Sequence, residues 1–138
     1  TDGSELSGRA VKAGVELAKA LNARVTGFYA APAYHPHFYQ HIPLNSASRM
    51  LYEAHAKESA ERYLSVVESA AKGLGLAYDG VFVISDAPYD AIIQIALDKH
   101  CDLIFMAPYG NRSALGLPLG SNTNKVLTNS KISVLVHR

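Results

Sequence analysis

The sequence predicts an α/β fold in which a parallel sheet is covered by helices on both faces. Three observations carry that prediction. Strand-like and helix-like patterns alternate along the whole chain. Runs such as Leu103–Met106 are continuously apolar, as strands buried on both faces are. The 138 residues, 49% of them hydrophobic, fit one domain, residues 1–138, able to bury a sizeable core.

Each element has its own signal. From Ser4 to Leu21, the residues Leu6, Ala10, Val11, Ala13, Gly14, Leu17, Ala18 and Leu21 recur at helical spacing, with Ser4 or Ser7 as cap and Asn22 as stop. Arg24–Ala30 is short and partly β-branched, a strand. Arg49–Leu74 is a long amphipathic helix that turns Leu51, Ala54, Ala60, Tyr63, Leu64, Val67 and Ala70 inward and ends at Gly73 and Gly75. Tyr78–Ile84 is the next strand. Pro88 suits the first turn of a helix running to His100. Leu103–Met106 is a strand, Ser121–Asn129 a short helix and Ile132–His137 a last strand. There is no internal repeat and no linker.

Composition excludes several classes. Thirteen basic and 12 acidic residues leave a net charge of +1 without a Lys/Arg block, so nucleic acid is not an expected partner. No apolar run approaches the ~18–20 residues that span a bilayer, so no membrane partner is expected. The lone Cys101 permits no internal disulfide, which fits a reducing, cytoplasmic setting, and its place before an apolar strand reads as core packing. His35, His37 and His41 could offer three imidazoles to a metal. Their loop, Ala31–Ser48, holds Pro32, Pro36 and Pro43 and no cysteine or acid, and reads instead as a surface loop with aromatic anchors; no metal site is assigned. No Walker pattern surrounds Lys125, and no triad or carboxylate pair is readable from spacing.

The stretch that carries chemistry is Leu103-Ile104-Phe105-Met106-Ala107-Pro108-Tyr109-Gly110, followed by a loop with Gly116 and then Gly120-Ser121-Asn122-Thr123 at a helix start. Glycines allow close approach of a ligand to backbone, and a helix N-terminus offers free N–H groups and a partial positive charge to an anion. The segment therefore reads as a phosphate cradle at the carboxyl end of a strand. The alternative is a connection in which glycine and serine only turn the chain and cap the helix.

These residues resemble the closing signature of the universal stress protein family, G-x2-G-x9-G-[ST]. Gly110 matches the second glycine, Gly120 the third and Ser121 the hydroxyl residue; Ala107, followed by Pro108, stands in place of the first glycine. Thr1-Asp2-Gly3-Ser4 resembles the family's T-D-G-S opening. Ala87-Pro88 through Cys101-Asp102-Leu103-Ile104 and Ser133-Val134-Leu135-Val136 resemble its later segments, so the likeness runs the length of the chain.

The resemblance implies a three-layer sandwich with four main helices and a five-stranded parallel sheet in the order 3-2-1-4-5. The strand that would precede Thr1 and lie at the sheet's centre is missing from the sequence as it stands. The ligand crevice of such a sheet lies where the strand order reverses, between the first and fourth strands. Asp2 would end the first and Met106-Ala107 the fourth, so two motifs roughly a hundred residues apart would converge.

By the same resemblance ATP, with Mg2+, is the expected cofactor. Thr1 and Asp2 would border it, with Asp2 accepting from ribose hydroxyls. Ala30 would offer backbone groups to adenine. Met106, Ala107 and Gly110 would line the ribose and phosphate path, and Gly120, Ser121, Asn122 and Thr123 would donate to phosphate. For Asp2, Ser4 and Ser121, helix capping is an equal alternative. The implied function is a stress-response sensor or regulatory module, a homodimer paired through its last strand. The other readings are a family member that is a scaffold without nucleotide, and a slow ATPase. No catalytic residue is assigned.

Overall fold

A computed structural model of the chain describes residues 1–35, 46–110 and 119–138. Its elements, in order, are α1 (Glu5–Ala20), β1 (Val25–Ala31), α2 (Ser46–Gly73), β2 (Tyr78–Ile84), α3 (Pro88–Asp98), β3 (Leu103–Met106), α4 (Ser121–Asn129) and β4 (Ser133–Val136). Helices and parallel strands alternate as the pattern predicts.

Three of the four described helices stop by one device. The N–H of Ala23 bonds the carbonyl of Ala18 (2.9 Å), that of Leu76 the carbonyl of Ala71 (3.0 Å), and that of Cys101 the carbonyl of Ala96 (2.8 Å). The residue before each donor, Asn22, Gly75 or His100, takes a positive φ of 53°, 71° or 54°. This is the Schellman arrangement, which closes orphan carbonyls at a helix end. Each time, the strand starts two residues after the donor. At the start of α1, Ser4 is the cap and its hydroxyl accepts the Ser7 N–H.

The strands form two parallel pairs. β1 runs beside β2 in the register Val25↔Tyr78 to Ala31↔Ile84, and β3 beside β4 from Leu103↔Ser133 to Met106↔Val136. The expected five-stranded order is therefore not what the described residues form. They give the pairs β1-β2 and β3-β4, and no described strand joins the two. A parallel ladder needs a neighbouring strand ~4.8 Å away. Among the described residues no strand pairs with the second edge of β1, where the Thr1 nitrogen donates to the Phe28 carbonyl (2.9 Å).

Side chains still divide into layers. Val15 of α1 and Ala71 of α2 form one core cluster with Leu76, against Val25 and Tyr78. Ala96 of α3, Ile104 of β3 and Val126 of α4 form a second, against Met106, Ile132 and Val134. The Phe105 ring meets the place where a side chain on Gly14 of α1 would project, so β3 turns alternate residues to α1 and to α3 and α4. Two expected core positions of α2 lie outside the core: Leu51 is 60% exposed and Ala54 is exposed. The helix buries Ala56, Ala60, Val67 and Ala71 instead. Small residues let it lie close to the sheet, and its N-terminal turns point their larger side chains outward.

Candidate functional site at the carboxyl ends of the strands

The loop before α1 is knitted by its own side chains. Gly3 has φ 77°, and a side chain there would run into the ring of Tyr63 from α2. Buried Ser7 donates its hydroxyl to Thr1 Oγ1 (2.7 Å) and accepts the Asp2 N–H (3.3 Å). Asp2 Oδ1 accepts from both the Ser4 hydroxyl (2.6 Å) and the Ser4 N–H (3.1 Å). Capping and carboxylate placement are thus one network: Ser4 caps α1, and Asp2 holds Ser4.

The other Asp2 oxygen, Oδ2, is turned to the loop after β3. A side chain on Gly110 would run into it. The two motifs therefore meet in space, and Gly110 is where backbone approaches carboxylate too closely for any side chain. The same loop seats α4. The Gly120 N–H donates to the Pro108 carbonyl (2.7 Å), and the buried Thr123 hydroxyl donates to the Ala107 carbonyl (3.1 Å). A Cβ on Gly120 would stand 3.2 Å from the Tyr109 Cα.

The N-cap of α4 is Gly120, which has no side chain to cap with, so Ser121 is not the cap. The first-turn N–H groups of Ser121, Asn122 and Thr123 have no intrahelical acceptor. That turn carries no acidic residue to offset the helix's positive end. Ser121 and Asn122 are exposed, while Thr123 is buried. Ala107 does not have a positive φ, so alanine in place of glycine strains nothing there.

Ala30 is brought to the same edge by strand parity. Alternate residues of a parallel strand turn their backbone groups to opposite sides. Val25 donates to Ala77, and Ala31 accepts from Ser85, so odd positions face β2. Phe28 accepts from Thr1 on the other side, and Ala30 is the next residue to face that way. Met106 goes elsewhere: its side chain packs on the second core cluster, and its carbonyl accepts the His137 N–H (3.0 Å).

Sequence reasoning missed Ser7 as the loop's anchor, Tyr63 as its cover, and the group beside Ala30. There, Asp86 accepts the Ala33 N–H (3.0 Å) and pairs with His35 Nε2 (2.8 Å). The hydrogen bond from His35, then that from Ala33, hold the Asp86 carboxyl below the usual carboxylate range. Of the three loop histidines, only His35 is among the described residues, and no group of three or more metal-ligating side chains occurs among those residues. Gly116 also lies outside them. A groove of about 360 Å3 between α2 and β2, lined by Ala60, Leu64, Tyr78 and Phe82 among others, involves none of the expected site residues.

Comparison with known proteins places the chain in a family. The model of the universal stress protein family matches residues 1–138. The chain belongs to that family. It is 28% identical over 136 residues to a universal stress protein of Methanocaldococcus jannaschii, covering 99% of this chain and 77% of the relative. Universal stress protein UspA of Lactobacillus plantarum has the same fold, with a TM-score of 0.74 at 23% identity, covering 100% of this chain and 93% of that one. Two universal stress protein structures are nucleotide complexes. One, with cAMP, has a TM-score of 0.68 at 24% identity over 100% of this chain and 92% of that one. The other, from Archaeoglobus fulgidus with dAMP, scores 0.64 at 14% identity over 100% and 92%. No helix among the described residues is long and apolar enough to cross a membrane.

Proposed function

We propose that this universal stress protein binds an adenine nucleotide, with ATP as the working ligand, at the carboxyl ends of β1 and β3, and acts as a cytoplasmic sensor or regulatory module in stress response. The observation that carries the reading is the meeting of Asp2 with Gly110 beside an uncapped α4. Thr1 and Asp2 would border the ribose and Ala30 would face the base with its backbone. The Ala107 backbone and Gly110 would line the path to phosphate. The N–H groups of Ser121, Asn122 and Thr123 would donate to phosphate, with Gly120 keeping the approach open. The Gly120 N–H and the Thr123 hydroxyl are already donated within the protein, so they shape the cradle rather than contact the ligand. Mg2+ would be held by phosphate oxygens and water, since it keeps several waters and needs few protein ligands.

The test is calorimetry with ATP, alongside mass spectrometry of any nucleotide released on denaturing the purified protein. Gly120→Val should lower affinity at least tenfold, because the branched side chain meets Tyr109 backbone and pushes α4 off its seat. Hydrogen bonds to phosphate contribute roughly 0.5–1.5 kcal/mol each, and more with a charged acceptor. Ala107→Gly should leave affinity equal or raise it. No binding in either protein would favour the second reading, a scaffold without nucleotide, which Pro108 supports because it removes one N–H from the cradle. Turnover with Mg2+ would mark a slow ATPase.

Two features of assembly belong to the same proposal. The pairs β1-β2 and β3-β4 fit the outer halves of the order 3-2-1-4-5, with a central strand pairing to β1 and β3. The edge of β4 that no described strand pairs, on a strand carrying half-buried Val134 and Val136, would pair across a two-fold axis in a homodimer, since an uncovered edge strand is a liability. Sedimentation should then show a dimer that Val134→Lys converts to monomer.

A further inference from the structure

The backbone leaving β1 is fastened on both sides. On one side, Asp86 bridges two residues of the exit segment, taking the Ala33 N–H on Oδ1 and His35 Nε2 on Oδ2. Asp86 is itself set by its neighbours, because the Ser85 hydroxyl accepts the Ala87 N–H (3.1 Å) and Ser85 donates to the Ala31 carbonyl (2.8 Å). On the other side, the Tyr52 hydroxyl of α2 donates to the Pro32 carbonyl (2.6 Å), and the Tyr52 ring lies 5.4 Å from that of Tyr34.

The fastening does not read as support for the fold. The side chains of His35 and Asp86 are 47% and 51% exposed, and pairs so open to water add little to global stability. What these bonds do fix is local. They hold Pro32–His35, the segment directly after Ala30 and Ala31, relative to β2 and α2.

We propose that Asp86 is a positioning residue for base recognition: by holding the segment after β1, it keeps the outward backbone N–H and carbonyl of Ala30 aimed at the edge of a purine. The inference rests on the nucleotide reading above and deepens it, because it names a residue that positions the base end. A backbone N–H beside a backbone carbonyl matches adenine, whose N1 accepts and whose 6-amino group donates. It opposes hypoxanthine, whose N1–H donates and whose O6 accepts. A site that discriminates by such a pair loses discrimination when the pair is misaimed, even if the rest of the ligand still fits.

The experiment compares ATP with inosine triphosphate by calorimetry in the wild-type chain and in Asp86→Ala, Asp86→Asn and Tyr52→Phe, with thermal melting of each protein. The wild type should prefer ATP. Asp86→Ala should weaken ATP at least fivefold and leave inosine triphosphate within twofold, with the melting temperature little changed. Asp86→Asn, which keeps an oxygen for the Ala33 N–H, should recover part of the preference. Tyr52→Phe releases the opposite side and should move the preference the same way by a smaller factor. A wild type that binds ATP but does not prefer it, or an Asp86→Ala protein that keeps the full preference or loses both ligands equally, overturns this inference alone. A wild type that binds neither ligand overturns the nucleotide reading and this inference with it.

Discussion

The two ends of the strands are built on different principles. At the amino end, α1, α2 and α3 hand over to β1, β2 and β3 by one repeated device, a residue at positive φ and a bond closing over six residues. Each handover is complete within its own short stretch of chain. At the carboxyl end, bonds local to each turn, such as Ser4 to Asp2, are joined among the described residues by bonds between distant segments: Thr1 to Phe28, Ala33 to Asp86, Thr123 to Ala107. A locally closed stop can be exchanged for another at small cost. A long-range junction specifies the relative position of two elements, which a ligand crevice needs. The difference is an argument, separate from the glycine pattern, for the site proposed at the carboxyl end.

Two glycines with almost the same backbone test this directly. Gly3 has φ 77° and Gly75 has φ 71°, so alanine strains the backbone equally at both. At Gly3 the new methyl also runs into the Tyr63 ring, while at Gly75 nothing lies within 4 Å. Gly3→Ala should cost about 3 kcal/mol in urea unfolding, combining a left-handed backbone with overpacking. Equal losses at Gly3 and Gly75 would break the comparison, because long-range contact would then add nothing. Gly110→Ala comes next in size. Its φ is not positive, so the loss, about 2 kcal/mol, should come from displacing Asp2 and its bonds to Ser4. ATP binding should weaken with it. Gly75→Ala should cost about 1 kcal/mol and leave ATP binding unchanged.

The same division explains what was legible in the sequence. The spans of β2, β3 and α4 agree with their patterns, and Asn22 and Gly75 are readable stops, because periodicity and capping are local signals. α2 begins at Ser46 rather than Arg49, and its exposed Leu51 shows that a long helix outruns the sheet it covers. Of the candidate site, Asp2, Gly110 and Gly120 are legible as motif positions, because glycine spacing and an acid after a turn are short signals, and the structure brings Asp2 to Gly110. Tyr63 lies far along the chain from Gly3, and 51 residues separate His35 from Asp86. No window of sequence holds both partners, so neither contact has a local signature. The five-stranded order is a property of joined sheets, and the described strands form two pairs.

The smallest effect expected sharpens the comparison from the amino end. His100 and Asn22 are non-glycine residues at positive φ, where a Cβ crowds the backbone. Asparagine tolerates that region better than most residues, and histidine carries a bulkier side chain into it. Glycine removes the crowding but loses more conformational freedom on folding, so the two effects largely offset. His100→Gly should therefore stabilise by only about 0.5 kcal/mol, and Asn22→Gly by less. At this chain length, that corresponds to a rise in melting temperature of about 1–2 °C for His100→Gly. Because the stop after α3 is closed by the Cys101 to Ala96 bond, the change should not reach the other end. Thermal melting and ATP calorimetry on His100→Gly measure both halves of that statement. A gain in stability accompanied by altered ATP affinity would mean that the two ends are coupled through α3, and that the interchangeable stop is part of the site.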